Sequence, residues 1–449
     1  MSDDPLSRLR ARVADGMART REDLERLVRI PSVGAPGFDP GPVRASAVLV
    51  RDLLAGAGME ARLLELEGAN PAVLATLPAR QGAPTVLLYA HHDVQPAGPE
   101  VRWATPPFEP AERGGRLYGR GSADDKAGIA VHLAAVRAFE GRPPVGLVVL
   151  VEGEEESGSP NLAGFLERYG GLMRADVVVL ADSGNWRVGQ PALTTSLRGL
   201  VDCTIEVRTA DHAVHSGMYG GPVPDALTVL CRTLASLHDE RGNVAVPGLA
   251  SGPADPLDLT EEELRREAGL LPGVRLLGEG GLTERLWTRP AVSVLAIDAP
   301  RVAEASNTLI PSARALVSLR LAPGEDPERA LTALKAHLEA SVPWGAEVTV
   351  ADGTTGAPYR VEAEGPAYDA VRRAFAEAWG VAPVDIGAGG SIPFLAAFAE
   401  RFPGTALLLT GVEDPASNAH AENESVHLGD LERACLAETL FLAHLAEIS

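Results

Sequence analysis

The sequence predicts an α/β fold with a mainly parallel sheet, interrupted by an inserted α+β domain. Three observations predict it. Four short runs, at 85–90 (TVLLYA), 145–151 (VGLVVLV), 176–181 (DVVVLA) and 405–410 (TALLLT), are almost unbrokenly apolar, as strands covered on both faces must be. Helical patterns separate those runs. After about Arg198 the rhythm changes to strands that alternate by two, the signature of an antiparallel sheet with one wet face.

The elements follow in order. Pro5 to about Ile30 is a helix with Leu24, Leu27 and Val28 on its apolar stripe, stopped by Pro31. A second helix covers Pro42 to Gly56. Helices at Asp124–Phe139, Pro160–Tyr169 and Leu428–Ala446 separate or follow the apolar strands. Residues 200–208 (LVDCTIEVR) alternate strictly, and a helix at Pro224–Leu237 comes next. Strands at Val292–Ile297 and Ala313–Leu321 and a helix at Pro327–Ala340 complete the inserted part. Within it, the polar, Gly/Pro-rich stretch 241–281 holds one short acidic helix, Thr260–Ala268. The α/β pattern returns near Gly353. The expected division is therefore a discontinuous main domain, 1–197 with 353–449, around an inserted domain at 198–352.

Composition narrows the function. A chain of 449 residues is long for one domain, and 45% apolar residues suffice for buried cores. The net charge of −21 opposes a nucleic-acid or anionic-membrane partner. No apolar run reaches 18 residues, and the first residues are polar, so the expected location is cytoplasmic. Three scattered cysteines (Cys203, Cys231, Cys435) read as buried thiols rather than a disulfide framework. A GxxxxGK[ST] loop, a GxSxG elbow, a CxxC pair and an HExxH helix are all missing from the sequence.

The informative fact is where the acids and histidines fall. His91-His92-Asp93 follows the first apolar strand directly, and Glu154-Glu155-Glu156 follows the second within a few residues. Asp182 ends the third, and His420 lies in the loop after the fourth. Open α/β sheets gather ligands at the carboxyl ends of their strands, so these groups are expected to meet on one rim. Carboxylates packed that closely repel unless a cation neutralises them. Two imidazoles among oxygen ligands suit Zn²⁺, with Mn²⁺ or Co²⁺ as competitors, and a pair of metals sharing one carboxylate is the usual hydrolytic arrangement. The Gly-rich turn GRGSADDK (119–126) offers Asp124 or Asp125 as that bridge.

Separated motifs, in order along the chain, resemble the co-catalytic zinc metallopeptidases that include cytosolic nonspecific dipeptidase, carnosinase, aminoacylase and acetylornithine deacetylase. The metal motifs are AHHDVQP (90–96), GRGSADDK (119–126) and EGEEESGS (152–159). The resemblance implies a zinc-exopeptidase-like catalytic domain, with His91, Asp182 and a bridging Asp124 on one metal. Glu156, His420 and the same Asp124 would hold the other. It implies that Asp93 orients His91, that Glu155 is the general base, that His92 packs away and that Asp125 serves the helix N-terminus. Within the family the dipeptidase branch is most similar, through AVHSGMYGGPVPD (213–225), NTLIPS (307–312), SLRLAPG (318–324) and GGSIP (389–393). These imply that His215 stabilises the oxyanion from the partner subunit's lid, helped by Thr308. Arg320 would grip the substrate's carboxylate, and Gly390 and Ser391 would line the pocket. Family dipeptidases often carry charged residues where Gly387-Ala388 stand here.

The expectation is thus a homodimeric, two-metal exopeptidase that cleaves dipeptides or short peptides with a free carboxyl terminus. An N-acyl-amino-acid deacylase is the alternative, since Arg320 would serve both substrates. A metal-holding scaffold without catalysis is disfavoured, because Glu155 and all five ligands are in place.

Overall fold

A computed structural model describes residues 4–390 and 392–447. The chain forms two compact units, one of Met1–Thr195, Val361–Ile386 and Ile392–Ser449, the other of Ser196–Arg360 with Gly387–Ser391.

The first unit is built on a mixed, mainly parallel sheet. Strands Gly146–Glu152, Thr85–His91, Val177–Leu180 and Ala406–Leu409 run parallel at its centre, in that spatial order. Strand Ala72–Leu77, and beyond it Glu60–Leu64, add antiparallel on one side, and Ala192–Leu197 pairs antiparallel on the other. The central strands are those the apolar runs predicted. All seven residues of Gly146–Glu152 and all four of Val177–Leu180 are buried. Both faces are covered, as unbroken apolar strands require. Val86, Leu88 and Ala90 join the core that includes Ile129, Leu133, Leu440 and Phe441, whereas Tyr89 points the other way and stacks on Phe394 at 4.1 Å between ring centroids. Glu60–Leu64 escaped the sequence reading because it lies at the sheet edge, half exposed, with no apolar run to mark it.

Helices Pro5–Val28, Lys126–Ala138, Pro366–Trp379 and Leu428–Leu445 form the layer over one face. Pro5–Val28 starts at Asp4, whose carboxylate accepts from the Leu6 amide, with proline in the first turn where its missing N–H costs nothing. Lys126–Ala138 is buried at every position except Arg137, so it is a core helix rather than an amphipathic one. Its Lys126 ammonium donates to the main-chain oxygens of Leu27 and Ile30.

The second unit is a four-stranded antiparallel sheet in the order Ala291–Asp298, Ser312–Leu321, Gly199–Arg208, Glu347–Gly356. Burial along Gly199–Arg208 alternates as the sequence pattern predicted. Its inward residues Val201, Cys203, Ile205 and Val207 pack with Val229 and Leu230 of helix Ala226–Ala235 and with Leu331, Leu334 and Leu338 of helix Pro327–Ala340. The acidic helix runs Glu261–Glu267 and is opened by a reciprocal capping box between Thr260 and Glu263. Strand Glu347–Gly356 was not foreseen; it is largely exposed and rich in Thr and Gly. Strand Ala291–Asp298 is an edge that leaves Val294, Leu295 and Ile297 exposed. All three cysteines are free, but only Cys203 and Cys435 are buried; Cys231, on the outer face of its helix, is exposed against expectation. Among the described residues no helix is long and apolar enough to cross a membrane.

Two glycines separate stability effects by geometry. A Cβ on Gly411 would lie 1.6 Å from the Ser183 carbonyl oxygen, so Gly411→Ala must move backbone beside Asp182 and should lower stability by about 1–3 kcal/mol or more. Gly16 lies inside helix Pro5–Val28 with open space around its missing Cβ, so Gly16→Ala should raise stability by about 0.5–1 kcal/mol. Urea unfolding midpoints of the two variants against the parent check both signs.

Candidate metal centre

The carboxyl ends of the central strands hold the chemistry of the first unit. His91 is the last residue of its strand, and Asp182 stands two residues beyond Leu180. Glu155 and Glu156 sit on a short 3₁₀ turn three residues past Glu152. His420 is delivered by the loop after Ala406–Leu409, in the left-handed region at φ 61°, with Asn418 and Asn423 close by at φ 55° and 62°. That conformation costs a non-glycine residue about 1–2 kcal/mol. The loop is held by Arg120, which donates to the Ala421 carbonyl oxygen, and by the Asn423 side chain, which binds the Ala104 amide and the Arg102 carbonyl.

Asp124 is the meeting point. Its Oδ1 lies 3.0 Å from His91 Nε2 and its Oδ2 lies 3.0 Å from His420 Nε2. His91 Nε2 is also 3.8 Å from Asp182 Oδ1, and His420 Nε2 is 3.1 Å from Glu156 Oε2. Two groups with metal-ligand spacing result, His91/Asp124/Asp182 and Asp124/Glu156/His420, with one carboxylate common to both. Borderline and oxygen-type donors in this mix suit Zn²⁺, Mn²⁺ or Co²⁺, so the residues present fit a pair of such cations.

A buried frame presents that carboxylate. Glu424, wholly buried, accepts from the amides of Gly121, Ala123 and Asp124 and pairs with the Arg120 guanidinium at 2.7 Å. Gly121 has φ +81°, and a Cβ there would meet Val94 at 2.7 Å, so only glycine fits the turn. The peptide bond between Asp124 and Asp125 is cis. Asp125 stands at the N-cap position of helix Lys126–Ala138, with its carboxylate beside Gly128 of the first turn. Its carboxylate makes no cap bond but accepts from the His91 amide at 3.2 Å.

The neighbours sort the three glutamates. Glu154 turns away, accepting from the Asn70 amide and the Asn161 side chain. Glu156 is gripped by Gln95 through both its amide and its side chain. Glu155 stands with Oε2 4.0 Å from His91 Nε2. Asp93 lies beside His91, although the nearer partner of Nδ1 is the Asp93 carbonyl oxygen at 3.1 Å, the carboxylate being at 3.5 Å. The Asp93 carboxylate accepts from the Glu156 amide, tying the two strand ends together. His92 is buried and bonded to the Pro71 carbonyl oxygen, and burial lowers it to about 4.

The electrostatics reflect crowded acids. Burial, then Asp182, pushes the Glu155 carboxyl well up, and burial, then Asp124, raises Glu156. Hydrogen bonds that its imidazole donates to the Asp124 and Glu156 carboxylates raise His420 to about 11. Burial works against a charged His91, yet Asp124, Asp182 and Asp93 together raise it well above the usual range. Such a site keeps protons where cations would otherwise balance the charge. The sequence reading missed Glu424, Gln95 and Glu413. Burial, then Asp124 and Asp182, drives the Glu413 carboxyl well up. Glu413 lies three residues past Thr410, at the same kind of strand end as the others; Glu424 and Gln95 carry no comparable signal.

The other expected residues lie in the second unit. His215, exposed, pairs across a two-residue strand ladder with Thr308, and its Nδ1 accepts from the Gly217 amide. Arg320, half-buried on strand Ser312–Leu321, is in register with Ala291 and Leu200. Gly390 is exposed, and Ser391 lies outside the described residues.

The family model for peptidase family M20/M25/M40 matches residues 87–444. A cysteinylglycine-S-conjugate dipeptidase of Corynebacterium striatum is 37% identical over 369 residues, covering 80% of this chain and 81% of that protein. A Beta-Ala-His dipeptidase of Rattus norvegicus is 30% identical over 403 residues, covering 84% and 80%. Among solved structures, the di-peptidase Dug1p of Saccharomyces cerevisiae superposes with a TM-score of 0.84 at 23% identity over 99% of both chains. Human carnosine dipeptidase 1 gives 0.83 at 24%, over 99% of both. These structures share the predicted fold, a mainly parallel α/β sheet with a separate antiparallel insert.

Two outcomes follow from the site. Asp124→Ala should empty both metal positions, whereas Asp125→Ala should retain at least one ion; metal analysis after gel filtration decides, and the reverse ranking would move the bridge to Asp125. Because His420 holds its proton up to about 11, metal binding should release at least one proton throughout the neutral range. Affinity should therefore rise about tenfold per pH unit, so the metal affinity at pH 8, from a chelator competition corrected for the chelator's own protonation, should be about 100-fold tighter than at pH 6.

Proposed function

We propose that this chain, which belongs to peptidase family M20/M25/M40, is a metal-dependent dipeptidase that hydrolyses dipeptides or short peptides with a free carboxyl terminus. The observation that carries the reading is the Asp124 carboxylate shared by two groups of candidate ligands, with Glu155 beside them. The activities in the names of the bacterial and rat relatives support the substrate class.

In this reading His91, Asp182 and Asp124 hold one divalent cation, and Glu156, His420 and Asp124 hold the second, both most simply Zn²⁺, with Mn²⁺ or Co²⁺ as alternatives. When bound, the pair supplies Lewis acidity toward the scissile carbonyl and lowers the pKa of water at the site. Glu155 takes the proton from the attacking water and returns it to the leaving amine. Burial and Asp182 raise its proton affinity, and cations beside it would bring it down toward a range useful to a base. Asp93 keeps the His91 ring oriented toward Asp124. Arg320 grips the substrate carboxylate bidentately, with Gly390 and Ser391 lining the pocket.

His215 donates to the tetrahedral oxyanion, and Thr308, its register partner, assists. We place these two residues in the partner's active site, within a homodimer formed through the inserted domain (198–352), with 1–197 and 353–449 as the catalytic domain. The support is that all five candidate ligands belong to the first unit and His215 to the second, and that the second unit has an apolar edge strand exposed at Val294, Leu295 and Ile297.

A panel of dipeptides against N-acetyl and N-succinyl amino acids, with Zn²⁺, Mn²⁺ and Co²⁺ in turn, tests the reaction; preference for the acylated amino acids would replace it with deacylation. Glu155→Gln should keep both metals and lose about 10²–10⁴-fold in kcat. Mixing inactive Glu155→Gln with inactive His215→Ala subunits, under conditions that exchange dimers, should restore activity. No recovery despite verified exchange would place His215 in its own subunit's site or outside catalysis.

A further inference from the structure

Arg198 is a buried cation without an acid. Its residue is 7% exposed, its Nη2 donates to the main-chain oxygens of Arg285 and Arg289 at 2.5 and 2.6 Å, and its Nε has no partner among the described residues. Burial, and then the neighbouring Arg320 guanidinium, lowers it to about 10. A guanidinium in this position is costly, because it has left water and faces a like charge. Beyond its main-chain pairing in the sheet, the Arg320 guanidinium has no hydrogen bond or ion pair to any described residue. Two cations close together, with no carboxylate to neutralise them, form a place where an anion is stabilised by both.

The backbone around Arg198 leads to the residues assigned above to the substrate's carboxylate. The Arg289 carbonyl it holds is two residues before Ala291, the register partner of Arg320. Its own amide donates to the Ala388 carbonyl oxygen at 3.0 Å, two residues before Gly390. Between these anchors the missing Cβ of Gly387 lets that segment lie against Trp287, to whose Cβ and Cγ an added Cβ would come within 2.6 Å. One side chain and its amide thus tie together the 285–289 turn and the 387–390 segment.

We propose that Arg198 is a positioning residue of the substrate-carboxylate pocket: it fixes the 285–289 turn and the 388–390 segment around Arg320 and makes the pocket selective for an anion. The inference rests on the reading of Arg320 as the carboxylate grip. A purely structural Arg198 would affect all substrates alike; a positioning Arg198 affects those that end in a carboxylate.

The test compares alanyl-alanine with alanyl-alanine amide on the metal-loaded dimer, as the ratio of their kcat/KM values. The parent enzyme should favour the free acid by about 10- to 100-fold, the range of a charge-assisted contact. Arg320→Met should abolish the preference. Arg198→Met should reduce it several-fold, mainly through KM for the acid, and the double variant should fall no lower than Arg320→Met alone. Arg198→Lys, which keeps the charge and some donors, should recover part of the preference and serves if the Met variant does not fold, as judged by thermal melting. An unchanged ratio in the folded Arg198 variants, or an equal loss on both substrates, overturns the proposal. An unchanged ratio in Arg320→Met would instead overturn the carboxylate reading beneath it.

Discussion

The arrangement of the first unit turns on one carboxylate placed between two imidazoles. Asp124 offers each of its oxygens to a different histidine at 3.0 Å, and Asp182 and Glu156 complete the two groups of candidate ligands around it. Around this point the fold places buried elements. A wholly buried glutamate holds three amides of the turn, an arginine neutralises that glutamate, and an almost fully buried helix begins directly after it. Removing one partner of such a buried pair typically costs about 3–5 kcal/mol, so the turn is rigid for reasons separate from any ligand.

The two histidines are nevertheless unlike. His91 ends a central strand and is wholly buried, fixed by Asp93 from behind. His420 hangs from a loop with three left-handed residues, and its side chain is 59% exposed. Strained backbone at such a place is stored where a side chain must be aimed, and the hydrogen bonds from Arg120 and Asn423 hold it there. The sheet therefore determines one half of the centre, and loop chemistry the other.

What could be read from the sequence follows the same split. The four apolar runs announced the parallel strands because burial on both faces leaves no polar positions, and the acids just beyond their ends announced the centre. Residues whose contribution depends on distant chain were hidden. Glu424 acts on a turn some 300 positions earlier, and nothing in its own neighbourhood marks it. Asp125 stands at the helix N-terminus, but its bond from the His91 amide was hidden, because the turn sets it beside a strand end that local spacing does not reveal. Strands Glu60–Leu64 and Glu347–Gly356 were missed for a different reason: half-exposed strands carry no continuous apolar run, and strong local pattern is all that periodicity detects.

The scarcity of lysine has a practical outcome. Of 40 basic residues only Lys126 and Lys335 are lysines. The ammonium of Lys126 is sealed in the core against two carbonyl oxygens, and burial lowers it to about 7. Lys335 sits on helix Pro327–Ala340, partly exposed and paired with Asp352. Acylating reagents and aldehyde cross-linkers need an accessible primary amine, and guanidinium groups do not supply one. Apart from any chain-terminal amine, such chemistry would meet a single side chain, so a dye or a surface tethered this way would attach at one defined point, on the unit that carries none of the candidate metal ligands.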